Sequence, residues 1–216
     1  VAAAVKHWPG EGFDDRDQHL VTTVNPLSID QWEAHFGRLY RAAMGLAAGV
    51  FGIYANAIMP GLRDTDDRTF VGAFQSIDEA IVNPLFMSVF VGALLATGLT
   101  AGLHFGADER SRLPWLLAAF LLYLAVFVIT IGINVPLNND IKAAGDPDRI
   151  RALAAVREQF DEERWVRWNV VRAVATAVAF GCLTWALVLH GRATTSSETA
   201  SEAVSIPAVE EARTAS

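Results

Sequence analysis

Cysteine is scarce in this sequence: the single cysteine, Cys182, lies inside a long apolar run. One cysteine excludes an intramolecular disulfide, a paired-cysteine redox motif and a cysteine-ligated iron–sulfur cluster. The five histidines are spread along the chain, whereas a zinc or non-haem iron site brings two or three histidines together with carboxylates. We therefore predict that the protein holds no metal and no bound cofactor.

Charged residues are absent from four long stretches of the chain, residues 42–62, 80–107, 113–139 and 173–191. Each stretch approaches or exceeds the roughly 20 apolar residues with which a helix crosses about 30 Å of hydrocarbon. None shows the period-two alternation of the strands in a membrane barrel. The sequence therefore predicts an all-α integral membrane protein, a four-helix bundle.

The polar segments divide the chain into three parts. Residues 1–27 and 193–216 contain too little bulky apolar surface to offset the entropy lost on ordering, so we predict a disordered arm and a disordered acidic, Ser- and Thr-rich tail. Residues 28–192 form the predicted membrane domain, with amphipathic interfacial helices before the first span and in the two longer loops. The spans are placed at about residues 42–61, 84–106, 113–136 and 168–190.

The first of the longer loops has an amphipathic pattern. Apolar residues recur at helical spacing between Phe70 and Ile81, whereas Asp78 and Glu79 fall off this stripe. We expect a helix that lies on the surface or caps the bundle.

Acidic residues are missing from all four apolar runs. A small drug or proton antiporter needs a carboxylate within a span, so transport is disfavoured. The net charge of −7 argues against nucleic acid as a partner.

Polar side chains occur near one end of each predicted span. Because consecutive spans alternate in direction, these ends meet at one membrane face. The residues collected there are Asn56, Asn83, Thr130, Asn134, Asn138, Trp165, Asn169 and Arg172. A buried amide or charge is costly in hydrocarbon, so we expect a polar pocket in which Arg172 faces Asn134 and Asn138.

A simpler interpretation of this cluster remains open. Arg172 lies near a helix end and could snorkel to the headgroups, and asparagines at span ends can be ordinary helix caps. Trp165 and Trp168 are expected to be interfacial anchors under either interpretation. The sharing of one face by four polar helix ends favours the pocket.

Four motifs follow one another over about residues 45–190: ANAIMPGL, FVGAFQSIDEAIVNPLF, INVPLNNDI and WVRWNVVRAVATA. Their combination resembles the anthrone oxygenase-like family, small four-helix membrane proteins mostly of unknown function. The resemblance implies oxidation of anthrones to anthraquinones by molecular oxygen, without a recognised metal or organic cofactor.

The matched motifs indicate candidate site residues. The resemblance implies catalytic roles for Arg172 and Asn169. Together with the shared membrane face, it implies substrate-binding roles for Asn56, Asn83, Asn134, Asn138 and Trp168. The family commonly has a histidine directly after the Trp-Asn pair, and here that position is Val170. Asp78 or Glu79 would be the base instead if their helix folded over the pocket.

The implied chemistry starts from the acidity of an anthrone methylene group, whose carbanion is the aromatic anthrolate. A protein could remove that proton and stabilise the anion with Arg172 and amide donors, after which oxygen reacts with the anion. We therefore expect a multi-pass protein of the cell membrane that oxygenates a polycyclic phenol or another lipophilic aromatic without a cofactor. Its expected partners are the lipid bilayer, that aromatic and molecular oxygen. The alternative is a non-catalytic membrane protein whose Asn/Arg cluster is structural or binds a lipid.

Overall fold

The computed structural model describes residues 38–106 and 111–214, with side chains for residues 41–105 and 111–190. These ranges are mostly helical and contain no strand. The arm predicted at residues 1–27, and residues 28–37 of the predicted interfacial helix, lie outside the described residues.

The helices are named here in chain order. The first span combines α1 (Arg38–Ile53), a π-helical turn (Tyr54–Ile58) and α2 (Met59–Arg63). Next come α3 (Asp67–Ile81) and α4 (Pro84–Leu103), which is followed by a 3-10 turn (His104–Gly106). The third span combines α5 (Leu113–Ile129), a second π-helical turn (Thr130–Asn134) and α6 (Val135–Ala143). The last helices are α7 (Leu153–Phe160) and α8 (Glu162–Thr214).

Four helical stretches of the described chain are long and apolar enough to cross a membrane. They are Arg41–Arg63, Pro84–Leu103, Leu113–Ala143 and Leu153–His190. The predicted all-α class and the four membrane-crossing helices are therefore confirmed. Prolines in the first turns of α4 and α5 suit positions whose amides would have no helical partner.

The long helices form a ring in which α1 and α5 each pack against both α4 and α8. The core between them is apolar and includes Met44, Phe90 and Tyr123. Glycine permits one close approach, since a Cβ added at Gly98 in α4 would lie 2.9 Å from Cε2 of Phe120 in α5.

Helix α3 caps one end of this ring. Asp66 is its N-cap, and the hydroxyl and amide of Thr69 both donate to the Asp66 carboxylate, which lowers the pKa of that carboxyl. The ring of Phe74 lies 4.6 Å from that of Phe160 in α7, between centroids. Gln75 Nε2 donates to the Ile141 carbonyl at 2.7 Å. The cap is therefore bound to α6 and α7 by both apolar and polar contacts.

Helix α8 continues to Thr214, through most of the segment predicted as a disordered tail. Residues 193–214 are therefore helical, and the structure describes only their backbone. Alanine, glutamate and arginine are good helix formers, and extending an existing helix avoids the cost of nucleating a new one.

Candidate active site

A cavity of about 200 Å³ lies near the end of the bundle that α3 caps. Both π-helical turns border it, through Tyr54 of the first and Thr130 of the second. π-helical turns are rare and frequently occur at functional sites. One wall of the cavity is polar, and apolar side chains from α4, α5 and α6 form the other.

Arg172 of α8 lies at the polar wall and is only 5% exposed. Its Nη2 donates to Asn169 Oδ1 at 2.9 Å, and its Nη1 donates to Thr130 Oγ1 at 3.2 Å. The guanidinium carbon lies 4.7 Å from the ring centroid of Phe51 and 5.5 Å from that of Trp165, within range of cation–π attraction. This burial does not fit an arginine that snorkels to the headgroups.

The charge of Arg172 has no acidic counterpart in the part of the chain whose side chains are described. None of the ion pairs there includes Arg172. Its Nε is buried and has no hydrogen-bond partner. A buried cation held only by neutral groups is costly, so the site favours an anion beside it.

Asn169 holds Arg172 in place. It is fully buried, accepts from Arg172, and donates through Nδ2 to the main-chain oxygen of Phe51 at 3.1 Å. The Phe51 oxygen lies just before the first π-helical turn. Asn169 therefore connects α8 to the first span and orients the guanidinium.

A second polar network joins α3 to the cavity. Asn138 Nδ2 donates to Asp78 Oδ1 at 2.6 Å, and Trp165 Nε1 donates to Asn138 Oδ1 at 2.6 Å. Lys142 Nζ lies 2.7 Å from Asp78 Oδ2, at ion-pair distance but without hydrogen-bond geometry. Asp78 is 6% exposed and lines the cavity, whereas the neighbouring Glu79 is exposed.

The structure brings three of the predicted site residues to the cavity wall: Asn138, Asn169 and Arg172. The partners of Arg172 differ from the expectation, because it bonds Asn169 and Thr130 and not Asn134 or Asn138. Asn134 is buried beside the cavity, where its Nδ2 donates to the Trp165 carbonyl at 3.3 Å and its Oδ1 has no partner.

The structure corrects the placement of three other predicted residues. Asn56 is exposed, because it lies two residues after the buried Tyr54 and so on the opposite side of the helix. Asn83 is the exposed N-cap of α4. Its side-chain Oδ1 accepts from Phe86 N, and its Nδ2 donates to the Ala80 carbonyl, each at 3.0 Å. Trp168 is half-buried and does not line the cavity.

Two cavity residues were assigned other positions by the sequence pattern. Asp78 was expected off the apolar stripe of its helix, but it follows Phe70 and Phe74 at four-residue intervals and shares their buried face. That spacing could have revealed it. Trp165 was expected in the polar cluster, where the structure has it, but also as an interfacial anchor, whereas it is 3% exposed and donates to Asn138 inside the protein.

The histidines lie away from this cavity. His104 is buried at the other end of the bundle, with Nδ1 2.8 Å from the Thr100 carbonyl oxygen. His190 contacts Arg112 at that same end. Among residues 41–105 and 111–190, no group of three or more His, Cys, Asp or Glu side chains is placed to hold a metal ion.

Comparison with known proteins identifies a family. The family model described as "Anthrone oxygenase" matches residues 80–182, which confirms the resemblance predicted from the sequence. A Cellulomonas fimi protein described as "Beta-N-acetylglucosaminidase/beta-glucosidase" is 35% identical over 129 residues, which cover 55% of this chain and 22% of that protein. Since the match spans only 22% of that protein, its activity is not transferred to this chain. No solved structure matches.

Proposed function

We propose, from the premise that residues 80–182 match the anthrone oxygenase family model, that the cavity binds a lipophilic polycyclic phenol and promotes its oxidation by molecular oxygen. The observation that carries the proposal is the buried guanidinium of Arg172, which lines the cavity, has no acidic partner among the described side chains and contains a buried Nε–H without a hydrogen-bond partner. An anthrolate would supply the missing negative charge.

The reaction can be written with the residues of the cavity and oxygen. Asp78 accepts a proton from the methylene carbon of the anthrone, and the electron pair of that C–H bond passes into the aromatic anthrolate. Arg172 stabilises the oxygen of the anion. Molecular oxygen adds to the former methylene carbon, the resulting peroxide anion takes back the proton from Asp78 to give a hydroperoxide, and the hydroperoxide loses water to form the carbonyl group. One CH2 group and one O2 become one C=O group and one water, so oxygen is the only oxidant needed.

Asp78 is the base in this proposal because of its position. It lines the same cavity as Arg172, whereas Val170, at the position of the family's usual histidine, is 42% exposed and does not line it. The amide of Asn138 orients Asp78 Oδ1. This role for Asp78 supplies the base that Val170 cannot.

The shape of the cavity suits a flat aromatic ligand. Phe51, Tyr54 and Trp165 provide rings beside the charged group, and aromatic side chains pack well against planar ligands. A volume of about 200 Å³ is below the range of roughly 300–1,000 Å³ common for small-molecule sites. A tricyclic ligand would therefore insert one edge and leave the other against the apolar wall.

A non-catalytic role is the second candidate, and the network around Asp78 favours it. Asp78, Asn138 and Trp165 connect α3, α6 and α8, so these groups could serve only to hold the helices together. Arg172 would then attract the anionic headgroup of a lipid. This alternative predicts a stable protein without oxygenase activity.

Oxygen uptake by the purified protein with emodin anthrone and other anthrones tests the proposal. Wild-type protein should consume oxygen faster than the spontaneous oxidation of the anthrone, and Arg172→Gln should abolish the excess. Arg167→Gln is the matched control, since Arg167 is exposed on the same helix. Uptake by wild-type protein at the spontaneous rate would refute the oxygenase.

The proposal also locates the protein in the cell membrane. Membrane fractionation of producing cells checks this location.

A further inference from the structure

We propose that the cavity opens sideways into the bilayer, through a portal formed by Phe86 and Met87 of α4 and by Ile131 and Val135 at the end of the third span. The ligand would enter from the hydrocarbon, not from water. The inference rests on the proposed function in one respect, namely that the ligand is a lipophilic aromatic molecule.

The exposure of the cavity walls locates the opening. Met87, Ile131 and Val135 line the cavity yet are 41%, 56% and 39% exposed. The charged lining residues Asp78 and Arg172 are only 6% and 5% exposed. The most exposed residues of the cavity lining are therefore apolar ones.

The depth of these residues places the opening beside lipid chains. Trp115 lies at the start of the third span, where tryptophan commonly marks the membrane interface. Ile131 follows it by 16 residues, about 24 Å along a helix that rises about 1.5 Å per residue. This distance is inside a hydrocarbon layer of about 30 Å, so Ile131 lies at the depth of the acyl chains.

Helix α3 closes the water-facing end. Its Asp78 contacts Asn138 and Lys142 of α6. Gln75 donates to the main-chain oxygens of Ile141 and Gly145 at 2.7 and 3.0 Å. An aqueous ligand would have to break these contacts, whereas a membrane-dissolved one need only pass between apolar side chains.

Thiol labelling in nanodiscs tests the route without any anthrone or oxygen uptake. The target is Thr130→Cys in a Cys182→Ala background, because Thr130 lines the cavity beside Arg172. The reagents are neutral N-phenylmaleimide and a sulfonated maleimide, whose charge excludes it from hydrocarbon by a factor of about a hundred. Intact-protein mass spectrometry follows the reaction, and denatured protein shows that the introduced thiol is reactive towards both reagents.

Blocking variants identify the portal. We expect N-phenylmaleimide to label the introduced thiol at least severalfold more slowly when Ile131→Trp is also present. If that variant folds poorly, Met87→Trp should produce the same slowing from the α4 side of the portal. Leu121→Trp is the matched control, since Leu121 lies in the same span as Ile131, is 60% exposed and does not line the cavity. Thermal unfolding checks that each variant is folded.

Three results would overturn the portal. Equal labelling rates of the introduced thiol by the sulfonated and the neutral reagent would mean a route from water. A folded protein that neither reagent labels would mean a closed cavity. Equal rates of labelling by N-phenylmaleimide in Ile131→Trp, Met87→Trp and Leu121→Trp would mean another route from the lipid. A failed oxygen-uptake assay with a positive labelling result would refute the oxygenase alone.

Discussion

At the residue scale, the electrostatics of the cavity depend on Arg172 and on the neutral groups that hold it. The guanidinium bonds two different side chains, Asn169 and Thr130, from two of its nitrogens. A planar group with several fixed donors makes both contacts at once, and an ammonium group on a flexible stem does not. Charge alone is therefore insufficient at this position.

We predict that Arg172→Lys and Arg172→Ala both lower the thermal stability of the detergent-solubilised protein. Each change leaves Asn169 Oδ1 or Thr130 Oγ1 without its donor, at a cost of about 1–3 kcal/mol per buried group. Arg167→Lys, on the exposed face of the same helix, should change little. An Arg172→Lys protein as stable as the wild type would show that the paired geometry is unimportant.

The same contacts predict which substitutions interact. Asn169→Ala should be non-additive with Arg172→Ala, because the two side chains are directly bonded. Asn83→Ala should be additive with Arg172→Ala, since Asn83 bonds only the backbone near its own helix start. A double-mutant cycle in thermal or chemical unfolding measures both couplings, and a zero coupling for the first pair would contradict the described site.

Asp78 permits a separate test of its proposed role as the base. Asp78→Asn keeps an oxygen that can accept from Asn138 but can no longer take up a proton at neutral pH. We predict that it abolishes the anthrone-dependent oxygen uptake while the protein stays folded by circular dichroism. Glu79→Gln, at the exposed neighbouring position, should retain the uptake. Full activity of Asp78→Asn would mean that another group removes the proton.

At the element scale, the position of α3 and the close contact of α4 with α5 shape the site. Arg157 of α7 lies 4.2 Å above the ring of Phe70 and donates to Asp67 at 3.1 Å, so α7 holds the first turn of α3. Gln75 holds the middle of α3 by donating to the Ile141 carbonyl. These contacts help to position Asp78, further along the same helix, at the cavity.

We predict that Gly98→Val destabilises the protein more than Gly102→Val does. A Cβ at Gly98 would lie 2.9 Å from the Phe120 ring, whereas nothing lies within 4 Å of a Cβ at Gly102. The two substitutions have similar helix propensity effects, so the difference in melting temperature isolates the overpacking between α4 and α5. Equal melting temperatures would show that the two helices do not pack closely there.

At the scale of the whole molecule, the even number of membrane-crossing stretches in the described chain places the residues just before the first stretch and just after the last on one side of the membrane. The four membrane-crossing stretches of the described chain also bring the ends of the first and third spans to the face where the second and fourth spans begin. This geometry is what assembles the cavity.

Cysteine labelling at Ser28 and Ala200 in a Cys182→Ala background measures this topology. We predict that a membrane-impermeant reagent added to one side of sealed vesicles labels both positions or neither. Labelling of the two positions from opposite sides would imply an odd number of spans and would separate the polar helix ends.

The sequence by itself determined the helical membrane class and the ends of several helices. A backbone in hydrocarbon must pair its polar groups within the same segment, so the length of an apolar run suffices to predict a spanning helix. The Asn83-Pro84 pair likewise marks the start of α4 through contacts within three residues. These features depend only on neighbours along the chain.

Only the tertiary structure decided which polar side chains share the cavity. Asp78 meets Asn138 across 60 residues of sequence, and Asn169 meets the Phe51 carbonyl across 118. Such contacts depend on how far each helix is rotated about its axis, and the two π-helical turns change that rotation beside the cavity. Asn56 was placed in the pocket from its position near the end of the first span, and Asp78 was expected off the apolar stripe of its helix. The structure exposes Asn56 and buries Asp78 at the cavity, because contacts between residues far apart in sequence set which side of each helix faces the site.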